Sequence, residues 1–142
     1  MKAKILIVDD EEKFANSLAE RLSIRDYDAA TSVNGQDAIE KIGDLDFDVV
    51  MLDLVMPGIN GLEVLREIKR IKPLTEVIML TALPNLEMGI EAMKRGALDY
   101  ILKPCEIDEL ISKIDRAHAR KTEQEERIRA VKVSGKGYSN GV

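Results

Sequence analysis

The sequence predicts an α/β fold, a doubly wound parallel sheet of five strands with helices on both faces. Three observations lead there. Five short apolar runs alternate with amphipathic segments, three of those runs are apolar without interruption, and turn residues punctuate the junctions. A strand buried on both faces reads as a continuous apolar run. Strict strand–helix alternation then requires right-handed crossovers, which lay helices on both faces of the sheet. At 142 residues and 45% hydrophobic, the chain can bury the core of one ordinary domain.

The first run is Ile5-Leu6-Ile7-Val8. Phe14, Leu18 and Leu22 follow at four-residue spacing, which predicts a helix with one buried face. Tyr27-Asp28-Ala29-Ala30 is the second run, and its polar residue suits a sheet edge. Asn34-Gly35 marks a turn before a second helix carrying Ala38, Ile39 and Ile42. Val49-Val50-Met51-Leu52 is the third run, followed by Asn60-Gly61 and a helix carrying Leu62, Leu65 and Ile68. Val77-Ile78-Met79-Leu80 is the fourth, with Pro84 placed to open a helix and Gly96 to close it. Leu98-Asp99-Tyr100-Ile101 is the fifth, again with edge character. Met51, Met56, Met79, Met88 and Met93 are read as core or near-core packing.

Charge and cysteine content narrow the function classes. Lys plus Arg is 21 against 26 Asp plus Glu, a net charge of −5. Through Pro104 the chain holds 13 basic and 19 acidic residues. An acidic body without a basic stripe argues against direct nucleic-acid binding. Cys105 is the only cysteine, so no intrachain disulfide forms, and it is read as a small packed side chain. Met1-Lys2-Ala3-Lys4 runs directly into the first strand without a cleavage site. No apolar run approaches the ~20 residues of a membrane span. A cytoplasmic protein without a membrane segment is expected.

In open α/β sheets ligands bind beyond the carboxyl ends of the strands, where strand order reverses. The residues that follow the runs are therefore the candidates. Asp9 and Asp10 follow run one, Asp53 follows run three, Thr81 follows run four, and Lys103-Pro104 follows run five. Carboxylates gathered at one point repel unless a cation joins them, and a few oxygen ligands with room for water and phosphate suit Mg²⁺. A carboxylate can also act as nucleophile and carry a phosphoryl group. A lysine and a hydroxyl are the donors that such a transfer needs.

Together these residues identify a resemblance. Ile7-Val8-Asp9-Asp10-Glu11, Asp53-Leu54-Val55-Met56-Pro57-Gly58-Ile59-Asn60-Gly61, Thr81-Ala82 and Gly96-Ala97-Leu98-Asp99-Tyr100-Ile101-Leu102-Lys103-Pro104 occur in this order, each closing the appropriate run. Over roughly residues 3 to 120 the sequence resembles the receiver domain of bacterial two-component response regulators. The resemblance implies the flavodoxin-like strand order 2-1-3-4-5 and phosphorylation of Asp53 by a sensor histidine kinase or phosphotransfer protein. It implies Mg²⁺ on Asp10, Asp53 and the backbone carbonyl of Val55, with Asp9 acting mainly through water. Lys103 would pair with a phosphoryl oxygen, Thr81 would bond another and move toward it, Tyr100 would turn inward, and the bond to Pro104 would be cis. The chain would catalyse only its own phosphotransfer and dephosphorylation, as a switch and not as an enzyme acting on other substrates.

Simpler roles stand beside these. Asp9-Asp10-Glu11-Glu12 suits the first turn of a helix, where acids are favoured. Asp53 suits an Asx-turn before Pro57. His118, the single histidine, lies on a charged helical segment and is read as surface. A hydrolase with an aspartyl nucleophile would place a second acid two residues on, where Val55 stands. A phosphate-cradling flavin or nucleotide module would have a Gly-, Ser- or Thr-rich first loop, where Asp9-Asp10-Glu11-Glu12 stands. A receiver acting only as a binding platform would lack part of the set.

The domain is expected to end near residue 121, with residues 122–142 as a helical extension and a flexible tail, since Ser134–Gly141 has a tail-like composition. Counting Ile107 as heptad position a, the a and d positions read Ile107, Leu110, Ile114, Ala117, Lys121, Gln124, Ile128 and Val131. They form either a weak homodimer seam or a helix packed on the sheet with a solvated extension, and the second reading is preferred. No output motif is present, so the output partner, or a C-terminal output domain, is left open.

Overall fold

The computed structural model describes residues 2–82 and 86–141, with side chains described as far as Val133. The elements are β1 (Lys4–Val8), α1 (Glu12–Ile24), β2 (Asp28–Ser32), α2 (Gly35–Asp44), β3 (Val49–Leu52), α3 (Gly61–Ile71), β4 (Glu76–Thr81), α4 (Leu86–Lys94), β5 (Asp99–Leu102) and α5 (Ile107–Gly141). All neighbouring strands are parallel, in the order β2-β1-β3-β4-β5. The two runs with polar residues are indeed the sheet edges.

Side-chain alternation along the central strands divides the core in two. Leu6, Val8, Val50, Leu52, Val77 and Met79 pack with α2, α3 and α4 on one face. Ile5, Ile7, Val49, Met51, Ile78 and Leu80 pack with α1 and α5 on the other. Asn34 and Asn60 cap α2 and α3, each side chain accepting from the backbone N–H three residues on. Gly96 closes the α4 segment with φ +107°, a conformation open to glycine.

Several boundaries differ from expectation. The second strand begins at Asp28, because Tyr27 turns into the core and donates its hydroxyl to Asp115 of α5 at 2.6 Å. Met93 is exposed on the outer side of α4, whereas Met51, Met56 and Met79 are buried. Pro84, the expected start of the fourth helix, lies outside the described residues. The backbone of α5 continues as helix through Gly141, over the stretch with tail-like composition.

The first four heptad positions of α5 serve the domain itself. Leu110, Ile114 and Ala117 are buried against the sheet and Ile107 packs partly beside them. Burying a Leu or Ile contributes about 1.5–3 kcal/mol, so this part of α5 is firmly held. The last anchors are Arg120 on buried Glu76 at 3.3 Å and Lys121 on Asp48 at 3.2 Å. Beyond them Ile128, Val131 and Val133 are exposed. Among the described residues no helix is long and apolar enough to cross a membrane.

Candidate phosphoacceptor and metal site

Strand register assembles the site. Val8 lies beside Leu52 and Thr81 beside Leu102, so the residues that leave β1 and β3 are neighbours, as are those at the ends of β4 and β5. Backbone bonds hold the exits in place: Asp53 N–H donates to Val8 O at 2.9 Å and Lys103 N–H donates to Thr81 O at 2.8 Å. Oxygens of Asp9, Asp10 and Asp53 all lie within 4.8 Å of one another. Asp9 and Asp53 are buried, and Asp10 is exposed.

The α3 start presses directly on this loop. Gly61 N–H donates to Leu54 O at 3.1 Å. A Cβ at Gly61 would stand 2.6 Å from Asp53 O and 2.7 Å from Leu54 Cα. Only glycine permits that approach. Asp53 Oδ1 accepts from Val55 N–H at 3.1 Å, the contact of an Asx-turn.

Lys103 enters the cluster from β5, and its bond to Pro104 is cis. Its ammonium lies 2.5 Å from Asp9 Oδ2, 3.3 Å from Glu11 Oε1 and 3.6 Å from Asp53 Oδ2. The Phe14 ring centroid is 4.3 Å away. Burial opposes the Lys103 charge, but Asp9, Asp53 and Glu11 outweigh it and hold the ammonium above its usual range. Burial pushes the Asp53 carboxyl up; Asp9 and Asp10 add to this, while the Val55 N–H and Lys103 work against it.

The donor set fits a small divalent cation. Asp9, Asp10 and Asp53, with Glu11 at the rim, outnumber the single Lys103 ammonium. Asp9 Oδ2 is shielded from water and pairs with Lys103. A few oxygen donors, with Asp10 open to solvent, suit Mg²⁺.

The other expected residues lie as follows. Thr81 ends β4, buried beside the Lys103 backbone. Val55 meets Asp53 through its N–H, and its side chain is exposed. Tyr100 is half-buried in β5 against Gly89 of α4, two residues before the end of its strand and outside the carboxylate cluster. His118 is half-buried with Nε2 3.7 Å from Asp48, at the opposite end of the sheet. Glu11 and Phe14 reach Lys103 although neither was singled out as a site residue. The available signal was their i, i+3 spacing on the first turn of the helix that follows Asp9-Asp10.

A sequence model described as "Response regulator receiver domain" matches residues 5–115. The chain is 38% identical over 116 residues to "Uncharacterized transcriptional regulatory protein YkoG" of Bacillus subtilis, covering 82% of this chain and 51% of that protein. It is 38% identical over 125 residues to "Response regulator ArlR" of Staphylococcus aureus, covering 88% of this chain and 56% of that protein. The chain thus spans about half the length of these curated relatives. Among solved structures it is similar to a "response regulator receiver domain protein (CheY-like)" from Methanospirillum hungatei, with TM-score 0.83 and 26% identity over 87% of this chain and 99% of that one.

Proposed function

The chain belongs to the response regulator receiver domain family, signalling domains that switch on phosphorylation, and from that premise we propose that Asp53 takes the phosphoryl group from a histidine kinase or phosphotransfer protein. A carboxylate oxygen of Asp53 attacks phosphorus. The phosphorus–nitrogen bond to the donor imidazole breaks as the new phosphorus–oxygen bond forms, and the imidazole keeps the electron pair. Lys103 balances charge on the transferring oxygens, and the buried setting strengthens that interaction. Thr81 donates to another phosphoryl oxygen and shifts toward it, and Tyr100 turns inward behind it. Asp10, Asp53 and the Val55 carbonyl would hold Mg²⁺, with Asp9 acting mainly through water. When bound, the ion neutralises charge on the phosphoryl group.

The observation that carries this reading is the gathering of Asp9, Asp10 and Asp53 at the strand exits, with Lys103 paired to Asp9 and Asp53, an excess of negative charge that a divalent cation would offset. In the same reading, residues 1–121 are the receiver and 122–142 the extension. The domain removes its own phosphoryl group by hydrolysis, works in the cytoplasm without touching nucleic acid itself, and passes its state to an output partner or a C-terminal domain. Incubation of the chain with a small acyl phosphate and Mg²⁺ tests it. One phosphoryl group per chain by intact mass is expected, with none when the metal is chelated. Equal incorporation in the presence of chelator would contradict the metal assignment.

A further inference from the structure

The Lys103 ammonium has carboxylates on three sides and an aromatic face on the fourth. Its side chain is only 9% exposed. Asp9 and Glu11 both stand nearer to it than Asp53 does. Glu11 is the N-cap of α1 and Phe14 lies in its first turn, and both side chains reach Lys103. Phe14 is itself half-buried against the core face that α1 shares with α5.

We propose that Phe14 is a positioning residue for Lys103, its ring holding the ammonium inside the carboxylate cluster where a phosphoryl group on Asp53 would meet it, while Glu11 is a competing counter-ion that draws Lys103 outward. This rests on the assignment of Asp53 as phosphoacceptor. The ring quadrupole attracts the cation, and that attraction is strongest when the cation is desolvated, as Lys103 is. The ring also takes the place of water, so the ammonium has few partners other than the carboxylates. Glu11 contributes less, because its side chain is 62% exposed and solvent screens an exposed pair. Phe14 therefore matters more than Glu11, and the two act in opposite directions.

The test uses the full chain with Phe14→Leu, Phe14→Tyr and Glu11→Gln. Three quantities are read: the rate constant of phosphorylation by a small acyl phosphate with Mg²⁺, the affinity for Mg²⁺ alone, and the nitrogen-15 ammonium signal of Lys103 without phosphodonor. Phe14→Leu should slow phosphorylation by about fivefold and shift the ammonium signal, leaving Mg²⁺ affinity within about twofold. Phe14→Tyr, which keeps the ring, should restore rate and signal. Glu11→Gln should quicken phosphorylation by less than about threefold. Should Phe14→Leu fold poorly, Phe14→Met, whose flexible side chain fills irregular space without the quadrupole, should behave as the Leu variant is expected to. A ring-less variant with parental rate, or an ammonium signal indifferent to loss of the ring, overturns the proposal. A parent chain that takes up no phosphoryl group overturns the assignment beneath it instead.

Discussion

Substituting Gly61 by alanine tests whether close backbone packing holds the phosphoacceptor loop. The new methyl would lie 2.6 Å from Asp53 O, 2.7 Å from Leu54 Cα and 2.9 Å from Leu54 O, where ordinary contact begins at 3.4 Å. All three neighbours are backbone atoms, so α3 and the loop must separate by about 0.5–0.8 Å. Overpacking of this kind costs about 1–3 kcal/mol. Replacing glycine also stiffens the unfolded chain, which offsets about 0.4–1 kcal/mol. The net loss should be about 1–2 kcal/mol, or about 3–8 °C in Tm for a chain of this size. Gly43 in α2 is the internal control, because a Cβ there meets nothing within 4 Å. Gly43→Ala should stabilise by about 0.5–1 kcal/mol. The displaced atoms belong to Asp53's own peptide, and misplacing a reacting group by about 1 Å can cost about a hundredfold in rate. Gly61→Ala should accordingly slow phosphorylation by about tenfold while Gly43→Ala leaves it unchanged. Urea unfolding and phosphorylation kinetics on both variants provide the check. A Gly61→Ala protein as stable as the Gly43→Ala protein would refute the reasoning.

Four further outcomes follow. Because the folded Asp53 carboxyl is raised above its unfolded value, the native state binds more protons between the two values, and metal-free stability should fall as pH rises through that window. Asp53→Asn should then exceed the metal-free parent in Tm at neutral pH, with the gap closing below about pH 3, under the unfolded carboxylate value; a gap independent of pH would contradict burial as the cause. Asp10→Ala should weaken Mg²⁺ binding yet raise metal-free Tm by relieving repulsion, whereas a lower Tm would count against clustered carboxylates. Deleting the residues after Lys121 should leave oligomeric state unchanged by light scattering, since the buried heptad positions all precede that point; conversion of a dimer to a monomer would argue for the seam. Val55, two places after Asp53 and with its side chain exposed, offers no hydrogen bond to orient an attacking water. Val55→Gln should therefore hasten loss of the phosphoryl group, and equal decay in parent and variant would remove that idea.

Local chemistry made most of the fold legible. Continuous apolar runs announced the central strands, and Asn34 and Asn60 announced two helix starts through their caps. What stayed hidden depended on partners far away in sequence. Tyr27 resembles a strand residue until Asp115, 88 residues on, accepts its hydroxyl and holds it in the core. Glu76 reads as a polar flank of β4, yet it is buried because Lys69 and Arg120 reach it from two helices. The first four heptad positions of α5 pack on the sheet, and a sheet-packed helix and a dimer seam use similar apolar spacing, so sequence alone does not separate them. At the site, reactive groups at strand ends were legible as Asp9, Asp10, Asp53, Thr81 and Lys103. Phe14 was not, because its spacing with Leu18 and Leu22 signals only a core face, and the ring's second contact crosses from α1 to the end of β5.

The central claim is that Asp53 is the phosphoacceptor, and locating the phosphoryl group tests it most directly. The chain is treated with a small acyl phosphate and Mg²⁺, the labile group is trapped by borohydride reduction, and peptides are mapped by mass spectrometry beside an Asp53→Asn control. The account predicts modification at Asp53 alone in the parent and none in the control; modification at another residue, or equal modification of the control, would contradict it.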